Sequence, residues 1–444
     1  MYPVLNLNYV LLRQYKGAII YPVFTENTGK YLSSMYTYER VNREAGMVLE
    51  LCDGSNTIEE IAHRFSATYN IRYEEVYSNI RNFIEQAEKK GYVYFEKNLQ
   101  RREINITGNY NAIYPFNAQI ELTKGCPLKC IHCFNDSGKV RTKELSTEQI
   151  KVILDKLADM GVKKIMLTGG EPTSRKDFTQ IVEYASKIFM AISIASNGYF
   201  ITPKIAGELG KCKNIVVQIS LDGTPEHHNL IRGVKDSHKR AIDAIKYLVE
   251  NRIPVIISTT FNYINWNDMD YVTRLAKGLG AKQITYSLTG EMGRAQNGGL
   301  LNNLDIKELL KKGAELQAAY TDDTFYVHAG EVNRANETQG KNSCGRGVTQ
   351  ICIRENGDVS PCLLFDFVYG NLLRQSIEEI FDYKRILNLM DFSEPDYTTC
   401  IGCKKATECG GCVAGAWNRP EEECKWKQVN KNVIKKISSI ARKD

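Results

Sequence analysis

The stretch NAQIELTKGCPLKCIHC, residues 117–133, carries a candidate strand, NAQIEL, straight into a loop with three cysteines. Cys126, Cys130 and Cys133 are separated by three residues and then by two. Metal cages of protein ligands usually come in fours. Zinc normally completes a tetrahedron with a fourth Cys or His, and His132, beside Cys133, is poorly directed to supply it. Iron–sulfur clusters are held by thiolates and can keep one iron without a protein ligand. An open iron suits chemistry on a bound molecule better than it suits a structural staple.

Downstream, strand and helix alternate to about Gly290. KKIMLTG, AISIASNG, NIVVQISLDG, PVIISTTFN and KQITYSLTG read as further strands, and stretches such as TEQIKVILDKLADMG and HKRAIDAIKYLVENR read as helices between them. Six such units predict a parallel sheet with helices outside it. They are too few for an eight-unit barrel, so the expected fold class is α/β, an open partial (β/α)6 barrel over residues 116–325. Ligands gather where parallel strands end at their carboxyl edge. At those ends stand Gly169-Gly170-Glu171-Pro172, Ser196-Asn197, and Ser220 with Asp222.

The chain has 444 residues, 25% charged and 43% hydrophobic, enough for two or three ordinary globular domains. No apolar run approaches the roughly 18 residues of a membrane span. The opening MYPVLNLNYVLLRQYKG lacks the order of a secretory signal, so a cytoplasmic, reducing location is expected. The net charge of +6 resides in the last twenty residues, where seven Lys or Arg stand against one Asp. Trp426, Val429, Val433, Ile437 and Ile440 recur there at helical spacing, which predicts a docked basic amphipathic helix over 425–444 rather than a nucleic-acid tail. Of thirteen cysteines, three lie at 126–133 and eight between Cys344 and Cys424; Cys52 and Cys212 stand apart. In a reducing compartment such clusters mean metal rather than disulfides.

Residues 1–100 read as a small winged-helix-like α+β domain. Strands around GAIIYPVF and YLSSMYTY precede a helix through RVNREAGMVLELCDG; a second helix opens at Thr57 on the capping box TIEE. A third, EEVYSNIRNFIEQAEKKG, buries Val76, Ile80, Phe83, Ile84 and Ala87 and stops at Gly91, and YVYFE closes the unit. Winged helices often bind DNA, but 11 basic against 12 acidic residues leave a net charge of −1, a poor footprint for it. A polar linker is expected over 101–115. From 326 to 424 the chain reads as loop-rich and without clear periodicity, organised by metal rather than by an apolar core.

A C-x3-C-x2-C loop after the first strand of a partial barrel resembles the radical S-adenosylmethionine (radical SAM) superfamily. The resemblance implies a 4Fe-4S cluster on Cys126, Cys130 and Cys133 whose open iron takes the methionine part of the cofactor. It also implies roles for the strand-end residues: Gly169, Gly170 and Glu171 for the amino group, and Ser196, Asn197, Ser220 and Asp222 for carboxylate and ribose. Arg232, in HHNLIRG, is implied to face the carboxylate, and His132 to pack near adenine. A zwitterionic methionine needs an acid for its ammonium, a base for its carboxylate and an Asp for the ribose, and each type is present.

The later cysteines, Cys344-x12-Gly357-x4-Cys362 and Cys400-x2-Cys403-x5-Cys409-x2-Cys412 with Cys424, resemble the SPASM extension, which carries up to two auxiliary 4Fe-4S clusters. One departure is the two residues, not three, within the last close pair. The resemblance implies one cluster on Cys344, Cys362, Cys412 and Cys352, and another on Cys400, Cys403, Cys409 and Cys424. With the first loop this makes three clusters on eleven cysteines. Cys352, in the candidate strand TQICIRE, also reads as a buried hydrophobe; the first auxiliary cluster would then keep an open iron. The first domain resembles the peptide-recognition domain related to the pyrroloquinoline-quinone peptide chaperone, which holds a precursor's leader as an added strand. In this order the three parts resemble maturases of ribosomally made peptides, and stretches such as MLTGGEP and VQISLDGTPEHHNLIRG resemble those that form sulfur-to-carbon thioether links through a 5′-deoxyadenosyl radical. Carbon–carbon or carbon–oxygen links and side-chain oxidation are the alternatives within that architecture. A metal-dependent winged-helix regulator is the alternative outside it. The implied partners are a precursor peptide and an electron donor such as flavodoxin or ferredoxin, with neither nucleic acid nor membrane.

Overall fold

The structure, a computed structural model, describes residues 1–15, 17–22, 39–140, 143–290, 292–296, 299–302, 304–329, 347, 350–365, 367–381, 395, 399–400, 403 and 412–440. The chain divides into two compact units, a smaller one running to Tyr114 and a larger one from Pro115 onward.

The smaller unit runs β1 (Tyr2–Leu5), β2 (Tyr9–Gln14), β3 (Gly17–Pro22), β4 (Glu39–Asn42), α1 (Arg43–Glu50), α2 (Ile58–Tyr69), α3 (Tyr73–Lys89), β5 (Val93–Glu96) and β6 (Ile106–Gly108). One sheet has the order β4-β3-β2-β6, and β1 pairs antiparallel with β5 in a separate ribbon. GAIIYPVF supplies β3, whereas YLSSMYTY lies outside the described residues. β1 and β2 add two strands that the sequence does not announce; β1 is four residues with Pro3 among them, too short to show a period. The expected linker also carries a strand, since β6 pairs parallel with β2. The capping box forms as TIEE predicts: Glu60 N donates to Thr57 Oγ1 at 3.2 Å and Thr57 N to Glu60 Oε2 at 2.7 Å. Val76, Ile80, Ile84 and Ala87 of α3 are buried against Leu11, Ile20, Leu49 and Phe65, with Phe83 partly buried and Cys52 in the same core.

The larger unit runs β7 (Asn117–Thr123), α4 (Thr147–Asp159), β8 (Lys164–Gly169), α5 (Phe178–Ser186), β9 (Ala191–Ser196), α6 (Pro203–Leu209), β10 (Ile215–Ser220), α7 (Pro225–Arg232), α8 (Ser237–Glu250), β11 (Val255–Phe261), α9 (Met269–Gly278), β12 (Gln283–Leu288), α10 (Ile306–Tyr320), β13 (Tyr326–His328), β14 (Gln350–Ile353), β15 (Asp358–Ser360), β16 (Gly370–Asn371), α11 (Ile377–Ile380), α12 (Val413–Trp417), α13 (Lys425–Val429) and α14 (Lys431–Ile440). All six expected strands are present. They lie in one sheet of order β13-β12-β11-β10-β9-β8-β7-β14-β15-β16, parallel from β13 to β14 and, among the described residues, open at both ends. Two further strands therefore extend the expected six to eight parallel ones, and β15 and β16 continue the sheet antiparallel.

The two faces of this sheet differ. Ile120, Leu167, Ile194, Ile219 and Ile257 are fully buried on one face, where each side chain contributes about 1.5–3 kcal/mol. In register on the other lie Gln119, Met166, Gln218, Ser220, Ser258 and Thr285, all half-buried. The helices hold the sheet from the apolar side.

The C-terminal region departs from expectation. It has an apolar core, with Ile351, Ile353, Val359, Phe365, Leu372 and Trp426 all buried, because β14 completes the main sheet beside β7. The expected amphipathic helix is broken at Asn430 into α13 and α14. Trp426 is buried, but Val429 is 73% exposed; the side chains of Val433, Ile437 and Ile440 lie outside the described residues. No helix among the described residues is long and apolar enough to cross a membrane.

Candidate functional site

The cysteine loop leaves the carboxyl end of β7 and is fastened on four sides. Cys126 N donates to Gly138 O at 2.9 Å. Lys129 N and Ile131 N donate to the carbonyls of Arg232 and Ile231, each at 3.0 Å, so the loop satisfies carbonyls that the last turn of α7 would otherwise leave open. Gly233 ends α7 at φ 71°, and a Cβ there would come within 3.0 Å of Lys129 O. Arg294 closes the fourth side: its backbone N donates to Cys133 O at 3.0 Å and its Nε to Cys130 O at 2.8 Å.

The glycines after β8 lie against the same loop. Gly170 N donates to Thr123 O at 2.6 Å and Glu171 N to Gly125 O at 2.8 Å. A Cβ on Gly170 would sit 2.3 Å from Gly125 O, and one on Gly169 would sit 2.3 Å from Thr123 O. The double glycine thus lets two strand-end loops run in contact.

Glu171 is fully buried, and its oxygens are occupied. Oε1 accepts from Thr173 N at 3.1 Å and from Ser196 Oγ at 2.8 Å, and Oε2 accepts from Asn197 N at 2.7 Å. Burial raises its carboxyl above the ordinary range against these donors. Glu171 thereby clamps the Ser196-Asn197 turn. Asn197 Nδ2 in turn points to Cys126 Sγ at 3.6 Å.

Asp222 and Arg232 are bonded to each other, Nε to Oδ2 at 2.6 Å. The second Asp222 oxygen accepts from Thr260 N at 3.0 Å, and Arg232 Nη1 lies 3.8 Å from Cys130 Sγ. Burial alone would raise the Asp222 carboxyl, but the guanidinium holds it down at about 2. His228 Nδ1 accepts from Asp222 N at 3.1 Å. Ser220 is half-buried at the end of β10 on the polar face. His132 is half-buried, with Nδ1 enclosed and without a hydrogen-bond partner among the described residues. Burial, then Arg232, push His132 down to about 4.

The donor set fits an iron–sulfur cluster with a cationic and amide surround. Burial pushes the Cys126 thiol up to about 12 and raises Cys130, with Arg232 acting in the other direction on the latter. Thiolates in this loop require positive charge beside them, which cluster iron supplies. Among the described residues no three Cys, His, Asp or Glu side chains form a group around a single ion; a cubane distributes its thiolates over separate irons.

Of the later cysteines, Cys344 and Cys409 lie outside the described residues. Cys352 is fully buried in β14, opposite Gln119 on β7 and Ser360 on β15. Cys403 N donates to Cys400 O at 2.9 Å, and Cys362 is half-buried. Cys412 and Cys424 stand at the N-termini of α12 and α13. Sequence reasoning missed Glu121 and Arg294. The first is an acid between the apolar residues Ile120 and Leu122 of β7, and the second lies in a glycine-flanked loop past the sixth strand end; both are readable signals.

A cysteine loop at the carboxyl edge of a partial barrel, bonded to GGEP and to an Asp–Arg pair, defines a radical SAM enzyme, and the chain belongs to that superfamily. The family model of the radical SAM superfamily matches residues 120–276, that of an iron–sulfur cluster-binding (SPASM) domain 344–404, and that of coenzyme PQQ synthesis protein D 28–93. The sporulation killing factor maturation protein SkfB of Bacillus subtilis (strain 168) is 31% identical over 304 residues, covering 68% of this chain and 73% of that protein. The antilisterial bacteriocin subtilosin biosynthesis protein AlbA of the same organism is 28% identical over 395 residues, covering 87% of this chain and 86% of that one. Among solved structures, Streptococcus suis SuiB bound to precursor peptide SuiA shares the fold with a TM-score of 0.64 at 16% identity, over 95% of this chain and 98% of that one.

Proposed function

We propose that this enzyme joins cysteine sulfurs to carbons of a ribosomally made precursor peptide in the cytoplasm. The observation that carries the reading is the assembly of Cys126, Cys130, Asn197 and Arg232 beyond the carboxyl ends of the parallel strands. Cys126, Cys130 and Cys133 would hold the first cluster, with Asn197 and Arg232 stabilising its thiolates through charge-assisted contacts. Glu171 fixes the Ser196-Asn197 turn, Gly169 and Gly170 offer close-lying backbone to the cofactor's methionine end, and Ser220 and the enclosed His132 Nδ1 line the remaining space. When bound, the cofactor and clusters supply hydrogen abstraction and electron uptake, so each new sulfur–carbon bond removes a carbon-bound hydrogen atom, a thiol proton and one electron from the peptide. The half-wet polar face formed by Gln119, Gln218, Ser258 and Thr285 suits an extended chain, whose amides need hydrogen-bond partners once out of water.

Cys344, Cys352, Cys362 and Cys412 would hold a second cluster, and Cys400, Cys403, Cys409 and Cys424 a third. An acidic one-electron carrier of the flavodoxin or ferredoxin kind would serve as donor. In the smaller unit β4 and β6 form the edges of the four-stranded sheet among the described residues, and an edge strand is where a leader segment adds by backbone pairing.

The test is anaerobic co-expression with a candidate precursor peptide from a neighbouring small open reading frame, read by mass spectrometry. Loss of two hydrogens per link, at a cysteine and an acceptor residue, is the expected result. The Cys126→Ala/Cys130→Ala/Cys133→Ala protein should leave the peptide unmodified while retaining roughly two-thirds of the iron by the eleven-ligand count. Modified peptide whose cysteines all remain alkylatable would overturn the thioether reading.

A further inference from the structure

One buried ionic cluster has no part in the reading above. Glu121 lies at the carboxyl end of β7 with its side chain wholly buried. Lys124 Nζ reaches its oxygens at 3.1 and 3.2 Å, and Asn135 Nδ2 donates to Oε1. Lys124 Nζ also donates to Asn135 Oδ1. These two partners flank the first cysteine loop, two residues before Cys126 and two after Cys133. The other oxygen, Oε2, accepts from Arg354 Nη1 at 3.0 Å, and that guanidinium is 15% exposed. Arg354 stands two residues beyond Cys352, just past the end of β14. Its Nη2 donates to Phe365 O and, at 3.4 Å, to Cys362 O, and its Nε donates to Ser360 Oγ at 3.3 Å. A single carboxylate therefore ties the loop of the first three cysteines to the segment that carries Cys352 and Cys362.

A bare structural tie could be apolar, and replacing a buried ion pair by packed hydrophobes is often neutral or stabilising. Charge at this place has a further effect. Thiolates ligating a cluster near Cys352 and Cys362 gain from Arg354, and reduction of that cluster adds negative charge that the same guanidinium stabilises. Glu121 opposes it.

We infer that Glu121 and Arg354 act as a matched pair of positioning residues that set the ease of reduction of the auxiliary cluster beside Cys352 and Cys362; this rests on reading those cysteines as cluster ligands. Lys124 on one side and Arg354 on the other leave the group with one net positive charge. Neutralising either member of the pair then has opposite consequences: loss of the acid makes the cluster easier to reduce, and loss of the base makes it harder. A purely mechanical brace has no such antisymmetry.

The experiment uses the full chain carrying Cys126→Ala/Cys130→Ala/Cys133→Ala, so that only C-terminal clusters respond. Anaerobic redox titration followed by electron paramagnetic resonance compares Glu121→Gln, Arg354→Gln and the pair together, with iron measured in each. Expected are a raised midpoint potential for Glu121→Gln, a lowered one for Arg354→Gln, and a value near the parent for the double variant. Should Arg354→Gln lose iron, Arg354→Lys takes its place and must hold the parent potential while Glu121→Gln raises it. Shifts of one sign, or unmoved potentials at full iron, overturn the inference and leave the functional reading standing. A parent without any residual cluster signal overturns the ligand reading and this inference with it.

Discussion

Arg232→Met should destabilise the larger unit by about 3 kcal/mol, and the structure gives the reasons for that magnitude. Removing one member of a buried ion pair costs roughly 3–5 kcal/mol, because the other charge is stranded. Here the stranded group is Asp222, fully buried and 2.6 Å from the guanidinium. It keeps the Thr260 amide at 3.0 Å, which places the cost at the lower end. The nearby imidazoles cannot replace the guanidinium at neutral pH, since burial chiefly pushes His132 down to about 4 and His228 down to about 3. At about 2 °C per kcal/mol for a unit of this size, thermal unfolding under argon should fall by about 6 °C. Asp222→Asn/Arg232→Met, which removes both charges, should recover more than half of that loss. The reasoning is refuted by a single variant that melts with the parent, or by a double variant that melts below the single one.

Gly170→Ala places a methyl group 2.3 Å from Gly125 O and must break backbone bonds worth about 1 kcal/mol each. Deoxyadenosine formation should fall at least tenfold, on the order of 1.4 kcal/mol in barrier, while Gly138→Ala, whose methyl meets open space, stays near the parent; equal rates would contradict the close approach of the two loops. Lys164 is 4% exposed, and burial lowers its ammonium to about 7. Its folded pKa lies below the unfolded value near 10.4, so the unfolded chain binds the extra proton between those limits and stability should rise with pH across about 7–10. Lys164→Met should abolish that rise, a few kcal/mol in chemical denaturation, and a persisting slope would assign it elsewhere. Cys352→Ala should lose iron and alter the resonance of the reduced protein; full iron with an unchanged spectrum would make Cys352 a core residue and leave an open iron in the first auxiliary cluster.

The strands of the large sheet were readable because each is an apolar run that ends in a turn residue, and the cysteine loop because its spacing has few uses. What could not be read is what depends on distant partners. β13 is three residues long and gains its place only from β12, and β14 is a central strand only because β7 lies beside it. Residue types at the site were legible, but their bonding was not. Glu171, Asp222 and Arg232 are all expected to face the cofactor, and the structure adds bonds that the sequence does not announce: Glu171 holds the Ser196-Asn197 turn, and the other two are paired. A buried charge finds the nearest compensating group, and sequence gives no distance between strand ends.

The place of β14 also governs the order of events during synthesis. Glu121 and Arg354 are 233 residues apart, and until the second emerges β7 has one open edge and its acid has Lys124 as its cation but lacks the guanidinium. At roughly 5–20 residues per second, the first three cysteines leave the ribosome about 10–50 s before the strand that completes their sheet. During that interval the loop is exposed thiol on an unfinished edge, open to oxidation and to the wrong metal. A nascent chain halted before residue 354 would thus carry its cysteine loop beside an unpaired strand edge.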